Sequence, residues 1–339
     1  MDHPQSLFTV ILAAGKGTRM KSDKAKVLHE VFFAPMIHHV LTAVQALHAT
    51  KDIVVIGHQR ESVMQALAGY NVEFALQQEQ LGTGHAVLCA EKAVTSTDGV
   101  VMILCGDTPL IKTETLQFMY QQHCERSSLL TVMTTILSDP TNYGRIIQTD
   151  SGKLLAIVEE KDASSEQKKI QEINAGIYCV NSKFLFETIK KIGTDNSQGE
   201  VYLTDIVSIA VAADLNVDKF INPTAQDVLG VNSRVELALA HKEIQRRHNN
   251  ALMLQGVTMH DPETTAIAHS AVVGRDTVLY PGVRISGTSR LGNSCIIQEG
   301  CVLHNCTLAD HVSIGPHSYL EGSECIEQSS YPPHSVVTP

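Results

Sequence analysis

The sequence predicts two parts: an α/β domain with a mostly parallel sheet, then a short parallel β-helix. Three observations carry this. Continuous apolar runs such as Val100-Val-Met-Ile-Leu-Cys105 alternate with helical patterns from residue 8 to about 220. Strands of that kind are buried on both faces and belong to βαβ units. From Val273 an aliphatic residue recurs every sixth position, at Leu279, Ile285, Leu291, Ile297 and Leu303, and after one five-residue step again at Leu308, Ile314, Leu320 and Ile326. That period is the signature of a β-helix whose aliphatic residues stack from coil to coil. Finally, 339 residues are long for a single domain.

Taken in order, Phe8 to Leu12 reads as a buried strand running into the small-residue loop Ala13-Ala14-Gly15-Lys16-Gly17-Thr18-Arg19. Met36, Ile37, Val40, Leu41, Val44 and Leu47 mark one face of a helix. Strands are expected at 52–57, 72–76 and 100–105, with helices at 61–67, 84–94 and 113–123. Beyond 129 come a strand at 129–137, a hairpin around Asp150-Ser151-Gly152, a strand at 172–180 and a helix at 201–213. Residues 235–254 read as a long connecting helix. At about eighteen residues per coil, the hexapeptide region makes about three coils.

The net charge of −10 and pI of about 5.9 argue against a nucleic-acid binder or a membrane-surface protein. No apolar window reaches transmembrane length, and MDHPQS lacks the form of a signal peptide. Eight cysteines without a C-x-x-C pair fit reduced thiols in a cytoplasm. Cys295, Cys301 and Cys306 fit repeat positions better than a metal site.

The loop after the first strand is neither G-x-G-x-x-G nor a Walker sequence. Its glycines still let backbone N–H groups approach a phosphate, and Arg19 and Lys26 add the cations that clamp one. Asp107 follows the strand ending at Cys105, at a carboxyl end where open α/β sheets bind ligands. A carboxylate there can hold Mg²⁺. The alternative is a turn or capping aspartate. Gln77 to Ala86 (QQEQLGTGHA) offers amides for a nucleobase edge and a glycine for close approach, or is a polar loop. Asn142 to Arg145, Glu159, Asn174 to Gly176 and Tyr202 to Asp205 carry donors and acceptors suited to a sugar.

The motifs LAAGKGTRM…KVLHE, LQQEQLGTGHA, GDTPL, NYGRI, IVEEKDA, EINAGIY, GEVYLTDI and GVNSR, followed by hexapeptide repeats, resemble bacterial N-acetylglucosamine-1-phosphate uridyltransferases. In that family the domain is usually fused to a glucosamine-1-phosphate acetyltransferase. The resemblance implies a Rossmann-like nucleotidyltransferase domain over 1–232, a connecting helix and linker over 233–262, and a short left-handed β-helix with its tail over 263–339. It implies Mg²⁺-dependent transfer of UMP from UTP to N-acetylglucosamine-1-phosphate, giving UDP-N-acetylglucosamine and pyrophosphate. By the same resemblance Ala13, Ala14, Gly15, Gln77, Gln80, Gly82 and Thr83 hold the uracil end, and Arg19 and Lys26 the triphosphate. Asp107 and Asn232 hold the metal, and Gly144, Glu159, Asn174 and Thr204 contact the acetylated sugar. A homotrimer through the β-helix is a further expectation, with no nucleic-acid or membrane partner.

Two departures from the family stand out. Its members commonly have a tyrosine where Cys105 stands, so an aromatic contact near the sugar is expected to be missing. The repeats are also short, so acetyltransferase activity is expected to be absent. Another hexose-1-phosphate as acceptor, or a non-catalytic sugar-nucleotide-binding or assembly role, are the competing readings.

Overall fold

The computed structural model describes residues 6–339, which form two compact units. One comprises the chain through His29 together with Pro35–Arg234; the other comprises Glu30–Ala34 and Val235–Pro339.

The first unit is built on a nine-stranded sheet. Its strands are β1 (Leu7–Leu12), β2 (Lys51–Ile56), β3 (Glu73–Leu76), β4 (Val100–Cys105), β5 (Leu130–Ile136), β6 (Arg145–Gln148), β7 (Leu154–Val158), β8 (Glu172–Asn181) and β9 (Val217–Ile221). The spatial order is β9-β5-β8-β4-β1-β2-β3, with β6 on β8 and β7 on β6. β1 lies parallel to both β4 and β2, and β8 runs antiparallel between β4 and β5. Alternation along the strands sorts the core into two layers. Val10, Val55, Val101 and Ile103 pack with α3 (Thr83–Cys89), α5 (Ser182–Ile189) and α6 (Asp205–Ala212). Ile11, Val54, Met102 and Leu104 pack with α1 (Met36–Gln45), α2 (Arg60–Ala66) and α4 (Thr113–Glu125). Because β1 is flanked by β2 on one side and β4 on the other, the loops leaving β1 and β4 open at the switch point of the sheet.

Two expectations shift here. The segment expected as a helix from Val201 starts at Asp205. Val201 spends its N–H on Leu81 O and its carbonyl on Gly84 N, both at 2.8 Å, which fixes it as an extended strap. The helix expected over 84–94 ends at Cys89 and is followed by a 3₁₀ turn, Glu91–Ala93.

The second unit carries α7 (Arg234–Leu254) and fourteen short strands. These stack as three parallel sheets of five, five and four strands, the arrangement of a left-handed β-helix. The repeats are longer than the expected three coils. Pairing runs from Thr258 to Val337, giving four full coils and most of a fifth. The early coils were hidden because Met259 precedes Ile267 by eight residues, outside the six-residue beat. At the far end a second five-residue step makes Cys325 the inward residue (3% exposed), and Ile326 faces out at 77%. Coils containing a short step pair residues 17 apart (Arg290 with Thr307), and earlier ones pair residues 18 apart (Val272 with Arg290).

Two residues before each inward aliphatic lies a small buried one: Thr277, Val283, Ser289, Cys295, Cys301, Cys306, Val312 and Ser318. The cysteine thiols at 295, 301 and 306 donate to the carbonyls of Ala309, Gly315 and Leu320 at 3.1–3.2 Å. Buried polar groups thus find partners one coil away. α7 packs into this unit rather than merely linking segments. Leu252 joins its core, and Asn249 and Gln245 each donate to Thr265 O at 2.8 Å. Phe32 is buried in the same unit, edge-on to His241, His248 and His269.

Candidate active site

β1 ends in a loop whose conformation is tied from three sides. Ala13 N donates to Val55 O at 2.9 Å, His58 N to Ala14 O at 3.2 Å, and Gly106 N to Leu12 O at 2.9 Å. Gly17 has φ of 60° and opens a 3₁₀ turn, Thr18–Met20. That left-handed kink suits a residue without Cβ, and a Cβ at Gly17 would lie 2.6 Å from Lys26 Cβ. The loop is one wall of a cavity of about 580 Å³ at the carboxyl ends of β1 and β4.

Four polar side chains meet in this cavity. Lys26 Nζ pairs with Asp107 Oδ2 and donates to Asn232 Oδ1 at 2.6 Å. Arg19 Nη2 donates to the same Asn232 oxygen at 2.8 Å. Asn232 Nδ2 is anchored on Gly230 O at 3.0 Å, and Val231 N on Asp107 O at 2.8 Å. Gly230 passes so close that a Cβ there would sit 3.3 Å from the Asp107 carboxylate. Asp107 and Asn232, 125 positions apart in the chain, therefore share one ammonium.

One carboxylate and one amide oxygen converging on a cation form a hard-oxygen donor pair. Such a pair suits a divalent ion whose remaining sites go to water and phosphate. Lys26 Nζ is the cation on which both oxygens converge, which is the physical evidence that a positive group fits there. Among the described residues no cluster of three or more His, Cys, Asp or Glu could build an all-protein metal cage.

Gln77, Gln80, Gly82 and Thr83 line the cavity too. Gly82 has φ of 107°, and a Cβ there would meet Val201 O at 2.6 Å. Gln77 is buried and donates to Gly82 O at 3.2 Å. Thr83 Oγ1 accepts from Leu203 N at 3.2 Å. Ala13, Ala14 and Gly15 line the cavity as well.

Gly144, Glu159, Asn174 and Thr204 form a second cluster beside the cavity rather than in its lining. Thr204 Oγ1 donates to Glu159 Oε1 at 3.2 Å, and Asn174 N donates to Gly144 O at 2.9 Å. Burial pushes the Glu159 carboxyl above its ordinary value, and the Thr204 hydroxyl opposes this. A bulge in β8 between Asn174 and Tyr178 turns the amide of Asn174 onto Gly176 N (2.9 Å) and the Tyr178 hydroxyl (2.6 Å). Gly176, with φ of 74°, abuts Cys105 Sγ, which does line the cavity. Burial drives that thiol up to about 12, so it stays protonated and serves as packing. Arg145 is buried behind the cluster, holding Tyr143 O and, at 2.7 Å, Glu160 Oε2.

The cavity also contains residues that motif reading passed over, chiefly Lys16 and Glu200. The quoted GEVYLTDI run was the available signal for Glu200; only the strap on Leu81 and Gly84 brings it to the wall.

A family model described as Nucleotidyl transferase matches residues 8–243. A bifunctional protein GlmU of Desulfotalea psychrophila is 50% identical over 322 residues, covering 95% of each chain. The bifunctional protein GlmU of Syntrophotalea carbinolica is 45% identical over 323 residues, 95% of this chain and 69% of the relative. That of Halalkalibacterium halodurans is 43% identical over 335 residues, 94% of this chain and 73% of the relative. No helix among the described residues is long and apolar enough to cross a membrane. The chain belongs to the nucleotidyl transferase family, as a GlmU-type uridyltransferase with a C-terminal repeat region.

Proposed function

We propose that this chain transfers UMP from UTP to N-acetylglucosamine-1-phosphate in the cytoplasm, with Mg²⁺ as the divalent ion. The observation that carries the reading is the meeting of Arg19, Lys26, Asp107 and Asn232 at one end of a single cavity. A phosphate oxygen of the sugar phosphate attacks the α-phosphorus in line; the new P–O bond forms as the bond to pyrophosphate breaks. The attacking oxygen is already anionic at neutral pH, so no general base is needed. What the protein must supply is alignment of two anions and relief of their repulsion.

Lys26 and Arg19 supply fixed positive charge toward the α-phosphate. Asp107 and Asn232 would hold the divalent ion, which when bound neutralises phosphate charge. The Gln77–Thr83 wall, with Ala13, Ala14 and Gly15, takes the base. Gly144, Glu159, Asn174 and Thr204 take the acetylated sugar, with Glu159 accepting hydrogen bonds from its hydroxyls. We assign no acetyl transfer to these 339 residues.

Pyrophosphate release from UTP across a panel of sugar phosphates tests this. N-acetylglucosamine-1-phosphate is expected to be the preferred acceptor, and preference for another hexose-1-phosphate would replace the acceptor assignment. Asp107→Ala and Asn232→Ala are expected to lose about 10²–10³-fold in kcat at unchanged melting temperature. Full divalent-dependent turnover in either variant would remove the proposed ion site.

A further inference from the structure

We infer that Glu200 is a specificity-determining residue that accepts hydrogen bonds from the vicinal ribose hydroxyls of the nucleotide. The inference rests on the uridyltransferase reading and deepens it.

The cavity is lined by Lys16, Arg19 and Lys26, as expected of a receptacle for phosphates, yet two acidic residues, Asp107 and Glu200, also line it. Asp107 is paired with Lys26. Glu200 is not: among the described residues its carboxylate has neither a hydrogen-bond donor nor a cationic partner. An unpaired carboxylate in the wall of a polyanion site repels the substrate unless it receives a neutral donor. Hydroxyls are such donors; phosphate oxygens are not.

Its position is built. Asn196 Nδ2 donates to Glu200 O at 2.6 Å, and Asn196 Oδ1 accepts from Glu200 N at 3.2 Å. The next residue, Val201, is strapped to Leu81 and Gly84. This sets Glu200 Cβ against Gly82, where a Cβ would come within 2.8 Å of it. Under the proposed reading Gly82 belongs to the base wall and Arg19 and Lys26 to the phosphate end. A nucleotide runs base, ribose, phosphate, so the group beside Gly82 that faces the cavity meets the ribose. The acetylated sugar already has its own half-buried carboxylate in Glu159, which the charge of Glu200 also helps to raise.

The test compares UTP, 2′-deoxy-UTP and 3′-deoxy-UTP in wild type, Glu200→Gln and Glu200→Ala. Wild type is expected to favour UTP over the deoxy analogues by roughly ten- to a hundredfold in kcat/KM. In Glu200→Ala that preference is expected to shrink below about threefold, through UTP alone, with KM for the sugar phosphate unchanged. Retained discrimination in Glu200→Ala, or a rise confined to the KM for the sugar phosphate, would overturn the assignment. Calorimetric binding of the same nucleotides reads the contact without turnover. A retained binding difference in an inactive wild type counts against the transfer reaction and not against Glu200; equal binding of all three nucleotides counts against Glu200. Among the described residues the Glu200 carboxylate has no hydrogen-bond or ion-pair partner to lose, so both variants are expected to melt with wild type.

Discussion

The α/β unit and the β-helix unit solve the same problem, burying polar atoms, in opposite ways. In the β-helix the buried thiols hand their hydrogens to the next coil, as Cys301 does to Gly315 and Cys306 to Leu320. The coil interior is otherwise lined by aliphatic side chains. In the α/β unit the strands are equally dry, but at the carboxyl ends of two of them Lys26, Asp107, Asn232 and Glu200 line a cavity. Glu159 is kept half-buried with a single hydroxyl partner. Regular repetition makes a scaffold, and its interruption makes a site.

Three measurements would break or sharpen that contrast. Lys26→Ala is expected to cost about 3–4 kcal/mol of transition-state stabilisation, some 10²–10³-fold in kcat, with melting temperature nearly unchanged. A large drop in melting temperature with activity intact would make Lys26 structural. Leu303→Ala, at a site with 0% exposure in the β-helix, should do the reverse. It is expected to destabilise by about 2–5 kcal/mol in denaturant unfolding while KM for both substrates holds. Changed KM values in the folded variant would mean the scaffold is not passive.

The smallest effect is in pH. Because burial raises the Glu159 carboxyl above its ordinary value, the neutral form is favoured in the folded protein. The cost of charging it therefore appears as pH rises through the unfolded and then the folded value. A sugar hydroxyl donating to the carboxylate favours the charged form, so affinity for the sugar phosphate should fall as pH drops through that raised value. Affinity in Glu159→Gln should be weaker and flat over the same window. A pH profile of sugar-phosphate KM identical in the two proteins would remove Glu159 from the contact.

Much of this was legible in the chain itself. The periodicities for βαβ units and for hexapeptide coils are local, because side-chain direction follows from backbone repeat alone. So the parallel sheet, the loop after β1 and the inward row from Val273 to Leu320 could be read residue by residue. The coil count could not, since Met259 stands off the beat and a second short step exchanges Ile326 for Cys325. A single-residue change in spacing is absorbed at a corner, and only pairing to the coil below reveals it.

What the sequence determined by itself was periodic: which faces are apolar, where strands give way to glycine loops, and which motifs stand at those ends. What only the tertiary structure decided was convergence. Asn232 meets Lys26 and Arg19, and Val201 straps onto Leu81 and Gly84 so that Glu200 faces the cavity. These contacts join residues more than a hundred positions apart. They depend on the order in which strands enter the sheet, a global choice that no local pattern encodes.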